Sequence, residues 1–476
     1  GFDAVLAATR AALVGASRRA DQTNHAESGP YAERDGRLWF MRRVGTRYGE
    51  EAIPEQLTNF TAQIVKETSL DDGVEPQRLL TLRVTLDNGT DLGEHDVPAA
   101  QFGSGRTWLV QHFGSDAVIL GNPNAVAHTC AAVALLSPAK ELVHAFAHLG
   151  FREVVDASGQ LRLVYLHADG AIGGEGVTVF VDAALSHYGL PSGTEDVRGA
   201  VLVSMRLLDV AVDRVSVPLF CSTYLPPLRH WVPIEFATWC WGPTGVFKTA
   251  VASVCQSHYG DFEGHPLPGS WLSTPASLEH LLSRAKDALA TIDDFVPRST
   301  HELDETRRKG SQVMRSIGNN AARGRMRQDL TARPDRPPRA FVIVTGEDVL
   351  SGESATARTF GVRFEKGFVN LSVLTELQHD ARRLPHAMRG YIEYLISIDT
   401  WLKTNAKARV TKLRAEFAGN NLHARQPDAC ARLMFAAEVF ARFATSVGAL
   451  DEAGAAVFFA VSYLIAKRLQ ATARNA

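Results

Sequence analysis

An apolar run, a glycine-bearing turn and a Lys-Thr pair follow one another near the middle of the chain. The run covers 234–241, the turn is Gly242-Pro243-Thr244-Gly245-Val246-Phe247, and Lys248-Thr249 opens a helical pattern over 250–257. A strand that enters a helix through such a turn directs backbone N–H groups and the helix N-terminus at one point, which suits a phosphate. The order predicts an α/β domain with ligand groups at the ends of its strands.

The Lys-Thr pair has a defined chemistry in a turn of this kind. Lys248 would pair with β- and γ-phosphate oxygens, and the Thr249 hydroxyl would ligate Mg²⁺. Phe247 stands where the usual loop has its last glycine. Because degenerate matches to this motif also arise by chance, the turn alone leaves the nucleotide site an open question.

A second apolar run ends in paired carboxylates. The run covers 287–292, and Asp293 follows 45 residues after Lys248. Asp293 would hold Mg²⁺, mostly through water, and Asp294 would orient or deprotonate the attacking water, a role more often filled by Glu. The alternative is a pair of turn or N-cap acids at a strand end, which taken alone is the commoner case.

A third apolar run, 340–344, ends in Thr345-Gly346-Glu347. A polar group at Thr345 could contact the γ-phosphate. Downstream, Arg358 follows a predicted helix over 351–357. In ring ATPases such an arginine reaches the neighbouring subunit's nucleotide. By spacing alone, a surface salt bridge is the more common role for Arg358.

The densest basic stretch lies between the paired aspartates and Thr345. Residues 307–339 hold ten basic and two acidic side chains, a net charge of +8. Arg323, Arg325 and Arg327 alternate, so on a strand they point to one face. A protruding hairpin with three such guanidinium groups suits a nucleic-acid backbone. The alternative is a solvated loop that pairs with acids on a neighbouring subunit.

Composition excludes several classes of protein. With 50 Lys+Arg against 52 Asp+Glu, the whole chain is not a basic nucleic-acid coat. The five cysteines include no C-x-x-C pair, which fits a reducing compartment, and we expect a cytoplasmic protein. The longest largely apolar run, Ala453 to Ala466, is shorter than the ~20 residues that span a bilayer, so no membrane association is expected.

Other candidate sites are weaker. His144 and His148 are four residues apart on a predicted helix, but no third ligand is evident, so we expect them to be structural. The chain holds no G-x-S-x-G elbow and no dinucleotide-binding fingerprint after a strand. It opens on Gly1-Phe2-Asp3 without an initiator Met, so we expect a piece of a longer protein.

Three zones of the chain differ in their predicted secondary structure. The first, 1–190, is α+β: Leu80 to Leu86 alternates apolar and polar residues before Asp87-Asn88-Gly89, which predicts a hairpin, and 152–155 with 161–166 predict a second strand pair. Two helices are predicted over 122–148. The second zone, 195–370, is α/β. The third, 371–476, is all helical, with predicted helices at 392–416, 430–447 and 452–473.

These elements, in this order, resemble the helicase-like ATPases of phages, integrative plasmids and chromosomal cassettes. That family is often fused to a primase–polymerase and lies near the minichromosome-maintenance-type and superfamily-three AAA+ helicases. The first zone is similar to the family's amino-terminal domain, notably at 57–60 and 161–172. The other blocks that carry the resemblance are Gly242–Thr249, Trp271–Thr274, Ile292–Phe295, Gly318-Asn319, Gly324–Arg327 and Thr345–Asp348.

The resemblance implies an AAA+-type P-loop ATPase core at 195–370, an α+β amino-terminal collar at 1–190 and an all-helical lid at 371–476. It implies ATP and Mg²⁺ at Gly242–Thr249 and Asp293, with Asp294 acting on water. It implies that Thr345 is the sensor and Arg358 the trans-acting finger. Arg323, Arg325 and Arg327 would lie on a hairpin that grips DNA.

The function implied is an ATP-dependent DNA helicase or translocase that assembles as a ring, expected to be a hexamer. Its partners would be single-stranded or forked DNA and a primase–polymerase domain in the same or another chain. Two other classes stay open: a P-loop motor that remodels protein or packages DNA, and a nucleotide-gated origin-binding or assembly factor without motor activity.

Overall fold

The chain forms two compact units in a computed structural model. One unit is Gly1–Asp71 with Pro76–Ala145, and the other is Asp72–Glu75 with Phe146–Ala476. The residues that the structure describes are 27–47, 49–103, 105–120, 124–156, 158–193, 196–295, 300–321, 324, 326, 332, 334–350, 352, 356–419 and 425–472. The division into domains at 1–190, 195–370 and 371–476 stays a prediction.

The first unit is built on antiparallel strands. One sheet runs in chain order through β1 (Glu27–Ser28), β2 (Tyr31–Arg34), β3 (Arg37–Thr46) and β4 (Gly49–Gln56). A second sheet contains, in spatial order, β8 (Glu141–Phe146), β5 (Phe60–Asp71), β6 (Pro76–Leu86) and β7 (Asp91–Pro98). Its helices are α1 (Ala99–Phe102), α2 (Thr107–Phe113) and α3 (Ala125–Leu135).

The predicted hairpin after Leu80 is confirmed. Strands β6 and β7 pair antiparallel, and Leu80, Leu82 and Val84 are buried, as the two-residue period requires. The prediction of two helices over 122–148 is wrong. Among the residues described there, α3 is the one helix, and His144 lies on strand β8, so its spacing from His148 does not place the two on one helical face. Pro138 explains the stop, because a residue before proline disfavours the helical conformation.

The second unit begins with a small antiparallel sheet. Strands β9 (Gly150–Val155), β10 (Leu161–His167) and β11 (Gly170–Ile172) lie in the order β11-β10-β9, which confirms the predicted strand pair. Strand β12 (Thr178–Val179) follows. Phe151 and Tyr165 of this sheet are buried in the same hydrophobic core as the strands of the α/β sheet described next.

A five-stranded parallel sheet forms the centre of the second unit. The strands are β13 (Ala237–Trp241), β14 (Gly269–Ser270), β15 (Leu289–Phe295), β16 (Phe341–Gly346) and β17 (Thr359–Arg363), in the order β14-β15-β16-β13-β17. All three predicted apolar runs are therefore strands. The helices here are α4 (Val197–Met205), α5 (Asp213–Tyr224), α6 (Lys248–Gln256), α7 (Pro275–Arg284) and α8 (Thr300–Asn319). Short 3₁₀ turns cover Arg206–Asp209, Pro226–His230 and Ser257–Tyr259.

This strand order decides which side chains meet. Strand β16 lies between β13 and β15, although it follows both in the chain. Because the strands are parallel, their carboxyl ends share one edge of the sheet. Residues 242, 345 and 293 therefore belong to adjacent strand ends.

The carboxy-terminal part is helical, as predicted. Its helices are α9 (Leu371–His379), α10 (Leu384–Ser397), α11 (Asp399–Phe417), α12 (Gln426–Ser446) and α13 (Glu452–Thr472), with a 3₁₀ turn at Ala381–Arg383. The predicted single helix over 392–416 is wrong, because the helix is interrupted at Ile398. Trp231 Nε1 donates to Asp399 Oδ1 over 2.9 Å, and this bond fixes the start of α11. Among the helices described, none is both long and apolar enough to cross a bilayer.

Candidate nucleotide-binding site

The first position of the turn between β13 and α6 requires glycine. Gly242 has φ of 151°, and a Cβ there would lie 2.2 Å from the carbonyl oxygen of Phe364. Phe247 has φ of 66°, in the left-handed region. A side chain in that region costs about 1–2 kcal/mol, which explains why glycine is usual at this position. Phe247 is 44% exposed.

The side chain that lies inside the turn is that of Lys248. Its Nζ donates to the carbonyl oxygens of Gly242 and Pro243, both at 2.8 Å. Burial lowers the pKa of Lys248, and the carboxylates of Glu347 and Asp293 act in the opposite direction. The ammonium group of Lys248 is thus held at the N-terminus of α6, where a bound anion would contact it.

Asp293 joins the turn to the neighbouring strands. Its Oδ1 accepts a hydrogen bond from the Thr249 hydroxyl at 2.8 Å and another from the Thr345 hydroxyl. Thr345 is 1% exposed, so its hydroxyl has a fixed place between the two strands. Three side chains singled out in the sequence therefore meet at one point.

A β-bulge lies at the paired aspartates. The register between β15 and β16 shifts between Ile292 and Phe295, and Asp294 has φ of 66°. Such a bulge turns consecutive side chains away from strict alternation. The Asp294 N–H donates to Thr345 Oγ1 at 3.4 Å, and the Asp294 side chain is exposed. Asp293 thus faces Thr249 while Asp294 faces solvent beside it.

Glu347 is a member of the site to which sequence reasoning assigned no role. The Thr244 hydroxyl donates to its Oε1, which places a third carboxylate against the turn. Glu347 lies two residues beyond Thr345 at the end of β16. The rule that ligand groups gather at the carboxyl ends of parallel strands could have identified it.

Arg358 lies at the amino-terminal ends of the parallel strands, opposite the carboxyl ends where the turn lies. It directly precedes β17, whose first residue, Thr359, pairs with Ala237, whereas Arg363 pairs with Trp241 beside the turn. Five strand residues separate the two edges by about 16 Å. Arg358 Nη2 donates to Asn319 Oδ1 at 2.8 Å.

Arg323, Arg325 and Arg327 lie outside the described residues. Met326 and Ala332 form an antiparallel bridge. Two other members of the basic stretch have acidic partners: Arg307 contacts Asp348 at 3.3 Å, and Arg336 contacts Asp72 at 2.6 Å. In the part of the chain that the structure describes, no group of three or more His, Cys, Asp or Glu side chains could hold a metal ion alone.

Comparison with known proteins finds likeness in structure alone. No family model matches the chain, and no curated protein matches it. The fold is similar to that of a solved SCCmec type IV Cch active helicase, with a TM-score of 0.52 and 16% identity over 94% of this chain and 80% of that one.

The apo C-terminal region of NrS-1 gives a TM-score of 0.27 at 10% identity over 76% of this chain and 85% of that one, too low to support an argument. The likeness to the Cch helicase at 16% identity shows a shared fold: mixed α/β with a helical carboxy-terminal part.

Proposed function

We propose that the chain is an ATP-dependent DNA helicase or translocase of a phage or mobile genetic element, with an AAA+-type P-loop core, and that it works as a ring. The observation that carries the proposal is the meeting of Thr249, Thr345 and Asp293 beside a turn that holds Lys248. A fold shared with an active helicase supports the same conclusion. A cytoplasmic location and a primase–polymerase partner belong to this proposal.

The donor set fits Mg²⁺. A hydroxyl at Thr249 and a carboxylate at Asp293 are hard oxygen ligands, and Mg²⁺ is typically bound by one or two carboxylates together with substrate phosphates. When bound, the ion would neutralise charge on the β- and γ-phosphates. A site of this kind is completed by its substrate, which agrees with the small number of acidic ligands.

The protein's own groups divide the remaining work. Lys248 would bind β- and γ-phosphate oxygens from inside the turn. The exposed Asp294 carboxylate would orient the attacking water and accept its proton as the bond between the γ-phosphorus and the bridging oxygen breaks. When nucleotide and Mg²⁺ bind, the Thr345 hydroxyl would give up its hydrogen bond to Asp293 and donate to a γ-phosphate oxygen instead, which would hold that phosphate in register with the water.

The test is ATP turnover with and without single-stranded DNA, in the wild type and in K248A. K412A, which removes an exposed lysine of α11, is the matched control. We expect DNA-stimulated turnover in the wild type and K412A, and loss of more than about 100-fold in K248A, since a transition-state contact is removed. Equal turnover in the wild type and K248A would show that hydrolysis does not depend on Lys248, and it would reject the proposed motor.

Strand separation distinguishes the remaining classes. A helicase unwinds a forked duplex in an ATP-dependent manner. DNA-stimulated hydrolysis without unwinding would indicate a packaging or remodelling motor. Nucleotide binding without turnover would indicate a nucleotide-gated origin-binding or assembly factor.

A further inference from the structure

The last turn of α8 receives two arginine side chains from distant parts of the chain. Arg358, before β17, donates from Nη2 to Asn319 Oδ1 at 2.8 Å. Arg425, before α12, donates from Nη1 to the carbonyl oxygen of Gly318 at 2.8 Å. Gly318-Asn319 is a block to which the nucleotide site described above gives no role.

Gly318 makes room for one of them. A Cβ at this position would lie 2.3 Å from Cδ of Arg358 and 2.5 Å from its Cγ. Glycine is among the poorest residues for a helix, so its presence here has a cost. Close approach of Arg358 accounts for it.

A purely structural explanation accounts for only one of the two contacts. Arginines stabilise helix C-termini by binding the last carbonyl oxygens, as Arg425 does at Gly318. The contact of Arg358 with Asn319 Oδ1 is to a side-chain oxygen, so this contact does not cap the helix backbone. Burial and the nearby charges of Arg425 and Arg315 lower the pKa of Arg358, so two further guanidinium groups lie close to it.

We propose that Asn319 is a positioning residue that holds Arg358 for a phosphate group of the neighbouring subunit's nucleotide. The inference rests on the proposed function. Helix α8 directly precedes Arg323, Arg325 and Arg327 in the chain. The Asn319–Arg358 bond thereby ties the arginine of the intersubunit site to the helix that leads into the DNA-binding segment, and DNA binding is transmitted to hydrolysis through it.

The test compares DNA-stimulated ATP turnover in N319A, N319D, G318A and the control N320G. Asn320 also binds an arginine, Arg229, at 2.9 Å, and its φ of 47° suits glycine. We expect N319A to lower DNA-stimulated kcat about tenfold with KM for ATP nearly unchanged, as loss of a hydrogen bond to a charged group predicts. N319D keeps an acceptor oxygen and should recover part of the loss, while N320G should match the wild type.

G318A separates positioning from folding. Alanine favours a helix, so thermal stability should hold or rise. The new Cβ would displace Arg358, so DNA-stimulated kcat should fall as in N319A. Should N319A fail to fold, the same comparison rests on G318A.

Two results would overturn the inference: wild-type stimulation in N319A or G318A, or an equal loss in N320G. Absence of turnover in the wild type itself would instead reject the proposed function. The two failures are therefore distinguishable.

Discussion

Phe247 holds a backbone conformation that its side chain disfavours. Its φ of 66° is left-handed, and the helix α6 begins at the next residue. Because Gly and Ala both lack the ring, F247G and F247A differ mainly in backbone strain at this position. We expect F247G to be more stable than F247A by about 1 kcal/mol, measured by denaturant unfolding.

A second pair of variants tests the sign of this effect. Ala250 lies within α6, where a helical φ gives glycine no advantage. There A250G should be destabilised by about 1 kcal/mol relative to the wild type. If F247G were no more stable than F247A, the left-handed conformation would not be present in solution.

Some residues of the site can be predicted from the sequence, and others cannot. Lys248, Thr249, Asp293 and Thr345 follow from strand ends and a turn, and the structure brings them together. The register shift between β15 and β16 and the left-handed φ of Asp294 beside it could not be foreseen from the sequence. Register between strands 46 residues apart in the chain leaves no local signal.

At the level of elements, periodicity succeeds where one face of an element is buried. Strand β6 has its apolar residues Leu80, Leu82, Val84 and Leu86 two apart because this side packs against the core. The segment 141–146 has a mixed pattern that also fits a helix, and pairing within the sheet decides it as strand β8. Tertiary pairing overrode local preference there.

The 3₁₀ turn after α6 carries a buried histidine that links three elements. His258 Nδ1 donates to the Val254 carbonyl at 3.0 Å, so Nε2 accepts from the Ser204 hydroxyl at 2.8 Å. Ser204 is also 2.6 Å from the hydroxyl of Tyr224 on α5. This arrangement needs a neutral imidazole, and burial lowers the pKa of His258 to about 4.

A pH dependence of stability follows. The ordinary histidine pKa is near 6.5, so between pH 6.5 and about 4 the unfolded chain binds a proton that the folded protein excludes. The stability is fully present above pH 6.5, and about 3 kcal/mol is lost as the pH falls to 4. Denaturant unfolding across that range should show a shallower slope in H258Q than in the wild type.

H379Q is the control, because His379 is exposed at the end of α9. Its pH dependence should equal that of the wild type. An unchanged slope in H258Q would show that His258 is not the buried group that titrates. His167, whose pKa burial also lowers to about 4, would then be the next group to replace.

At the scale of the whole molecule, the proposed motor must hold DNA. Arg325 is the middle residue of the three alternating arginines, and each phosphate contact releases counterions. We expect R325A to bind single-stranded DNA more weakly and to lower the slope of log affinity against log salt by about one. R325K keeps the charge, so its slope should match that of the wild type; an unchanged slope in R325A would remove Arg325 from the DNA contact.

The assembly itself is tested by the position of Arg358. Since Arg358 precedes β17 at the amino edge of the sheet, about 16 Å of strand separates it from the turn of its own chain. In the proposed ring it would meet a phosphate of another copy, across a head-to-tail interface. R358A should therefore retain nucleotide binding and lose hydrolysis.

Mixing then gives the decisive result, because K248A and R358A damage opposite sides of that interface. Each variant alone should be inactive. In a randomly mixed ring of equal parts, about a quarter of the interfaces join an intact turn to an intact Arg358, so hydrolysis should return to a corresponding fraction. No recovery from a mixture whose subunits are shown to exchange, or normal hydrolysis by R358A alone, would mean that Arg358 does not act between subunits, and the ring would then need a different finger.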